Sequence, residues 1–134
     1  MNNIRTEIEQ AALRAAEISA SAIEESGHAR RSFRFALDFI GFNGHFPGFP
    51  VLPAMLQTLM AQMLATQVLP PTAKFSGVTK AKFIRQVGPD EEIEVEVAWR
   101  RKNAQWHCGT TLKAQGQNAS SMTLVFDAEV SQRG

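Results

Sequence analysis

The chain has a single cysteine, Cys108, in 134 residues, so no internal disulfide can form. That cysteine makes no recognisable metal-ligand spacing with His28, His45 and His107. A strong charge of either sign is missing too. Fourteen lysines and arginines face 13 acids, a formal net charge of +1, which excludes strong global attraction to nucleic acid. No apolar run approaches the roughly 18 residues of a membrane span, and residues 1–7 lack a basic-then-apolar signal pattern. The expectation is a cytoplasmic protein that engages neither membrane nor nucleic acid. Repeats, linkers and low-complexity tracts are absent as well. A single domain over residues 1–134 would bury about two thirds of its unfolded surface, so neither a metal nor a disulfide is needed to hold it.

Ile4, Ile8, Ala11, Ala12 and Ala15 recur at helical spacing, which predicts a short amphipathic helix over about residues 3–13, within an N-terminal extension of residues 1–16. From Glu17 the pattern alternates through Ile18, Ala20 and Ala22, then Phe33, Phe35, Leu37 and Phe39. Two strands joined by a Ser26-Gly27-His28 turn fit that pattern. Residues 54–68 contain neither proline nor glycine and carry apolar residues all round, predicting a central helix largely surrounded by protein. Pro70-Pro71 ends it.

Strands follow: 75–83 with some irregularity, 92–99 after a Gly88-Pro89-Asp90 turn, then 105–114 and 120–130 joined through Gln115-Gly116-Gln117-Asn118. One early helix followed by antiparallel strands implies an α+β domain in which a curved sheet wraps that helix.

The stretch that looks built for chemistry is Phe42-Asn43-Gly44-His45-Phe46-Pro47-Gly48-Phe49-Pro50-Val51-Leu52-Pro53, which runs directly into the central helix. Its prolines fix φ near −65° and remove donors, so the loop is stiff and the imidazole on it is held in place. Histidine's ordinary pKa of about 6.5 suits a general base near neutrality. A lone histidine is more often structural than catalytic, and only the flanking pattern favours the functional reading.

Gly44-His45-Phe46-Pro47-Gly48, then Pro50-Val51, Pro53 and Ala61-Gln62, resembles the signature of the hotdog-fold 3-hydroxyacyl-[acyl-carrier-protein] dehydratases of the FabZ and FabA type. The resemblance covers roughly residues 17–130, with support from Gly77 to Phe83 and from Val87-Gly88-Pro89-Asp90. It implies a hotdog homodimer with two active sites at the subunit interface. It further implies that His45 removes the C2 proton of a 3-hydroxyacyl thioester, that a Glu or Asp on the partner's helix assists loss of water, and that a backbone N–H at the helix start polarises the thioester carbonyl. Gly44, Phe46, Pro53, Ala54, Met55, Gln57, Thr58, Leu59 and Phe83 are the implied substrate-binding residues. No dissociable cofactor is implied, only a substrate carried on the phosphopantetheine arm of an acyl carrier protein.

The chain departs from that family in two places. Ala54 stands where glycine is usual, and the helix over 54–68 contains no Asp or Glu. Counted without a gap, the family's acid falls at Leu59; with a one-residue deletion it falls at Thr58. Gln57, nearby, is a candidate to orient a water in its place, or equally a polar side chain hydrogen-bonded at a dimer interface. Two further readings stay open: a subunit that binds acyl thioesters or the carrier protein, either non-catalytic or dependent on a paralogue bearing the missing carboxylate, and a hotdog thioesterase, for which Asp38 is the nearest acid. Lys80, Lys82 and Arg85, with a basic turn at Arg100-Arg101-Lys102, are candidates to meet an acidic carrier protein, against the simpler reading of solvated charges.

Overall fold

The computed structural model describes residues 3–19, 25–42 and 51–128. Helix α1 spans Ile4–Ala11 and is capped by Asn3, whose side-chain oxygen accepts the Arg5 N–H at 2.8 Å. Strands β1 (Glu17–Ser19) and β2 (Ser26–Arg34) follow, then a single 3₁₀ turn at Ile40–Phe42 and helix α2 over Ala54–Val68. Strands β3 (Lys74–Phe83), β4 (Glu92–Lys102), β5 (Gln105–Ala114) and β6 (Gln117–Asp127) complete the chain. The six strands form one antiparallel sheet in the order β1-β2-β4-β5-β6-β3.

α2 lies where the prolines place it, after Pro53 and before Pro70-Pro71. It packs against the face of the sheet formed by Ile93, Val95, Val97, Cys108, Leu112 and Leu124, all 1% exposed or less. Each such aliphatic side chain contributes roughly 1.5–3 kcal/mol through removal from water. Four phenylalanines continue this core towards residue 42. Phe35 stacks on Phe39 at 4.3 Å between centroids, and Phe39 meets Phe42 edge-on at 5.6 Å.

Several expectations change, among them the basic turn at Arg100-Arg101-Lys102, which is instead the end of β4, paired with His107, Trp106 and Gln105. Ser26, Gly27 and His28 are not a turn but the start of β2, paired with Arg100, Trp99 and Ala98 of β4. Serine and glycine suit turns locally, yet continuous pairing with β4 outweighs that preference, and Gly27 lies opposite the bulky Trp99. The β5–β6 turn is shorter than residues 115–118: Gln115 and Gly116, at φ 52° and 79°, make a two-residue turn, and β6 begins at Gln117. Finally, α2 is not enclosed all round by its own chain. It buries one stripe, Gln57, Met60, Ala61, Leu64 and Ala65, while Met55 is 79% exposed.

The sheet edge at β3 is long, and it mixes apolar side chains with three lysines, Lys74, Lys80 and Lys82. All ten residues except Gly77 are exposed, with Phe75, Val78 and Phe83 among them and Ile84 just beyond. Its inner neighbour is β6, and no strand pairs with its other side among the described residues.

Candidate active site at the start of the central helix

The histidine loop is bounded by two buried anchors. Phe42 closes the phenylalanine cluster on one side, and Leu52, 1% exposed, begins the other. The proposed base His45, with Gly44 and Phe46, lies between them, outside the described residues.

Pro53 is the N-cap of α2, at φ −63° and ψ 150°, and it supplies no side-chain cap. Its carbonyl accepts both the Leu56 N–H at 3.0 Å and the Gln57 N–H at 3.1 Å. The N–H groups of Ala54 and Met55 have no acceptor among the described residues. No charged residue stands on α2 to offset its dipole. A helix start in this state favours oxygen atoms that carry negative charge.

The other anticipated site residues divide into two groups. Ala54, Met55, Thr58 and Leu59 present a half-exposed or exposed surface on the first turns of α2. Thr58 donates its hydroxyl to the Ala54 carbonyl at 3.1 Å, and Leu59 packs partly against the core. Phe83, 45% exposed, ends β3 opposite Ser120 of β6.

Gln57 requires a correction. It is 3% exposed, and both ends of its amide are engaged within its own chain. Nε2 donates to the Leu52 carbonyl at 3.2 Å, and Oε1 accepts the Ser120 hydroxyl at 2.7 Å. Both ends of the side chain are thus engaged inside its own chain and not presented at the surface of α2. The reason is register: position 57 falls on the stripe with Ala61 and Leu64 that faces the sheet.

Sequence reasoning missed Ser120 and the contact that pins Leu52. The Leu52 N–H donates to the Val87 carbonyl at 2.7 Å, tying the end of the histidine loop to the turn before β4. Ser120 left a faint signal, as the polar member of an even-numbered set whose others, Met122, Leu124 and Phe126, all face the core.

Among the basic candidates, Arg85 is taken. It forms a two-pronged pair with Glu91, at 2.8 and 3.1 Å, which lowers the Glu91 pKa from the ordinary carboxylate value. Arg101 lies over the Trp106 ring at 5.5 Å. Lys80, Lys82, Arg100 and Lys102 are exposed. His28 and His107 share a shallow groove of about 550 Å³ with Lys80 and Arg100, on the face of the sheet turned away from α2. Cys108 is fully buried and its thiol is pushed up to about 12 by that burial, which leaves it inert as a nucleophile. Asp38 is exposed in a turn. No group of three potential metal ligands occurs among the described residues.

A family model for ApeI-like proteins, described as ApeI dehydratase, matches residues 21–123. The chain belongs to the ApeI-like family. Among its relatives, the ApeI-like chain is 36% identical over 96 residues to a 3-hydroxyacyl-[acyl-carrier-protein] dehydratase FabZ of Pelotomaculum thermopropionicum, covering 66% of this chain and 65% of that one. It is 43% identical over 95 residues to the FabZ of Desulforamulus reducens, covering 66% of this chain and 58% of that one. The match thus spans about two thirds or less of these relatives' length.

Solved structures confirm the architecture. The ApeI:P dehydratase heterocomplex of Xenorhabdus doucetiae superposes with a TM-score of 0.69 at 22% identity, covering 87% of this chain and 96% of that one. An (R)-hydratase from A. caviae involved in PHA biosynthesis superposes with a TM-score of 0.63 at 21% identity, covering 81% and 98%. The ApeI-like chain has the α+β hotdog fold, the α+β class implied by its strand pattern and central helix and the hotdog form by its resemblance to the dehydratases.

Proposed function

We propose that this chain dehydrates 3-hydroxyacyl thioesters, carried on the phosphopantetheine of an acyl carrier protein, to trans-2-enoyl thioesters. The observation that carries the reading is the histidine loop leading into a helix whose first N–H groups have no acceptor among the described residues, in a chain akin to dehydratases of that name. His45 takes the C2 proton. The electron pair left behind forms the C2=C3 bond as the C3–O bond breaks, and the hydroxyl leaves with a proton as water. Negative charge that gathers on the thioester oxygen meets the Ala54 and Met55 N–H groups and the positive end of the helix. No dissociable cofactor takes part.

The leaving hydroxyl needs a proton, and α2 carries no carboxylic acid. In a homodimer, His45 returns its own proton through a water. General-acid assistance is typically worth about 10²- to 10⁴-fold, so its absence slows turnover without abolishing it. A specific observation favours a second reading beside this one. The long β3 edge, with Phe75, Val78 and Phe83 exposed, together with an acid-free α2, suits pairing with a second hotdog chain that brings the carboxylate. The thioesterase reading ranks last, because its candidate acid, Asp38, stands exposed in a turn.

The test follows the ultraviolet absorbance of the enoyl thioester with 3-hydroxyacyl carrier proteins of several chain lengths. Steady signal that vanishes in His45→Ala supports the first reading. Signal only after a carboxylate-bearing paralogue is added, with a heterodimer in native mass spectrometry, supports the second. Hydrolysis to free acid, or silence under both conditions, overturns the dehydratase proposal.

A further inference from the structure

We infer that Gln57 is a positioning residue that holds the exit of the histidine loop and the first turn of α2 in their working geometry. Its side chain joins three separate parts of the chain. Ser120 of β6 donates to Oε1 at 2.7 Å, and Nε2 donates to the Leu52 carbonyl at 3.2 Å. Leu52 is gripped from its other side by the carbonyl of Val87, at 2.7 Å from its N–H. All of this is dry: Leu52 is 1% exposed, Gln57 3%, Ser120 0% and Val87 0%.

A buried amide needs both a donor and an acceptor partner, since an unmatched polar group in such a place costs about 1–3 kcal/mol. Here each partner is fixed by an independent element, so the carbonyl of Leu52 has one well-defined position. Leu52 stands seven residues after His45 and two before Ala54. Fixing it sets where the loop ends and where the helix's free N–H groups begin. Pro53 cannot do this alone, because it has no side-chain cap to offer. The catalytic consequence rests on the dehydratase reading; the structural one does not.

Three variants separate the possibilities: Gln57→Met, which keeps length but removes both hydrogen bonds; Gln57→Glu; and Ser120→Ala. With 3-hydroxyacyl-pantetheine thioester as substrate, Gln57→Met is expected to lower kcat about 10- to 100-fold, the loss that a small misplacement brings, with KM within about twofold. Gln57→Glu gives a signature that general destabilisation does not. Its protonated form again donates to the Leu52 carbonyl and accepts from Ser120, whereas its ionised form has no donor. The ratio of its kcat to that of the unaltered protein should therefore rise as pH falls, a ratio from which the titration of His45 cancels. Ser120→Ala should act in the same direction as Gln57→Met, and it carries the test if that variant does not fold.

Amide hydrogen exchange provides the readout free of turnover. Exchange at the amides of Leu52, Leu56 and position 57, which donate to the Val87 and Pro53 carbonyls, should quicken in Gln57→Met and Ser120→Ala, while Val95, Val97 and Leu112 stay protected. Unchanged exchange at Leu52, Leu56 and position 57, or a kcat ratio flat in pH, overturns the positioning role. Quickened exchange in a protein that turns over no thioester upholds positioning and removes the dehydratase reading instead.

Discussion

Arg85 holds Glu91 with two guanidinium nitrogens, Nη2 to Oε2 at 2.8 Å and Nη1 to Oε1 at 3.1 Å. The same Oε1 accepts the Gly88 N–H at 3.0 Å, so one carboxylate closes the turn whose Val87 carbonyl pins Leu52.

That pair makes stability depend on pH. The hydrogen bond from Arg85 is the largest influence lowering the Glu91 pKa in the folded chain, offset in part by burial. Because the folded value lies below the unfolded one, the unfolded chain binds the proton more readily in acid. The contribution is complete above the unfolded pKa of about 4.3 and is lost as pH falls through the lower folded value. Glu91→Gln should lower Tm at neutral pH, and the gap from the unaltered protein should close towards about pH 3. Thermal melts followed by circular dichroism across that range check this; a gap constant with pH would remove the pair from the account.

The β3 edge is expected to be an association surface. Its three lysines, Lys74, Lys80 and Lys82, are of the kind that guard a sheet edge, yet this edge runs ten residues and exposes Phe75, Val78 and Phe83 beside them. At the opposite edge β1 has three residues and its Glu17 is paired with Arg30. Val78→Glu combined with Phe83→Glu should convert a dimer to a monomer without altering the far-ultraviolet spectrum. Sedimentation equilibrium reads the mass directly, and an unaltered protein that is already monomeric would contradict the expectation.

Restoring a carboxylic acid to α2 should accelerate dehydration. Leu59 and Thr58 are the two positions that counting along the helix permits, and the structure separates their costs. Leu59 packs partly on the core, so Leu59→Glu should be the less stable variant, while Thr58 only donates to the carbonyl one turn back. At the position that faces the substrate, the gain should approach the 10²- to 10⁴-fold typical of general-acid help. Initial rates of enoyl absorbance for both variants decide between them. No gain at either position would show that the proton arrives by another route.

Gly41→Ala should damage the loop from its other anchor. A Cβ at Gly41 overlaps the Phe39 ring and a Leu56 methyl, so one or both must move. Overpacking of this kind costs about 1–3 kcal/mol. Urea unfolding should show the loss as a lower midpoint, with turnover falling further than stability alone accounts for, since Phe39 stacks between Phe35 and Phe42. An unchanged midpoint would mean that the cluster yields freely.

The sequence by itself determined the elements whose causes are local. Proline on both sides set the limits of α2, alternation set β4 and β5, and the glycine, histidine and proline spacing marked the loop proposed to carry the chemistry. These signals act through φ limits and side-chain periodicity over a few residues, so they survive being read one stretch at a time. Tertiary structure alone decided that Ser26 and Gly27 extend a strand, that β3 crosses to the far edge beside β6, and that Arg85 answers Glu91. It also turned Gln57 inward to Ser120, 63 residues away in the chain. Each of those outcomes depends on which distant groups share a buried space and must satisfy one another there, a condition that exists only once the sheet and the helix have met.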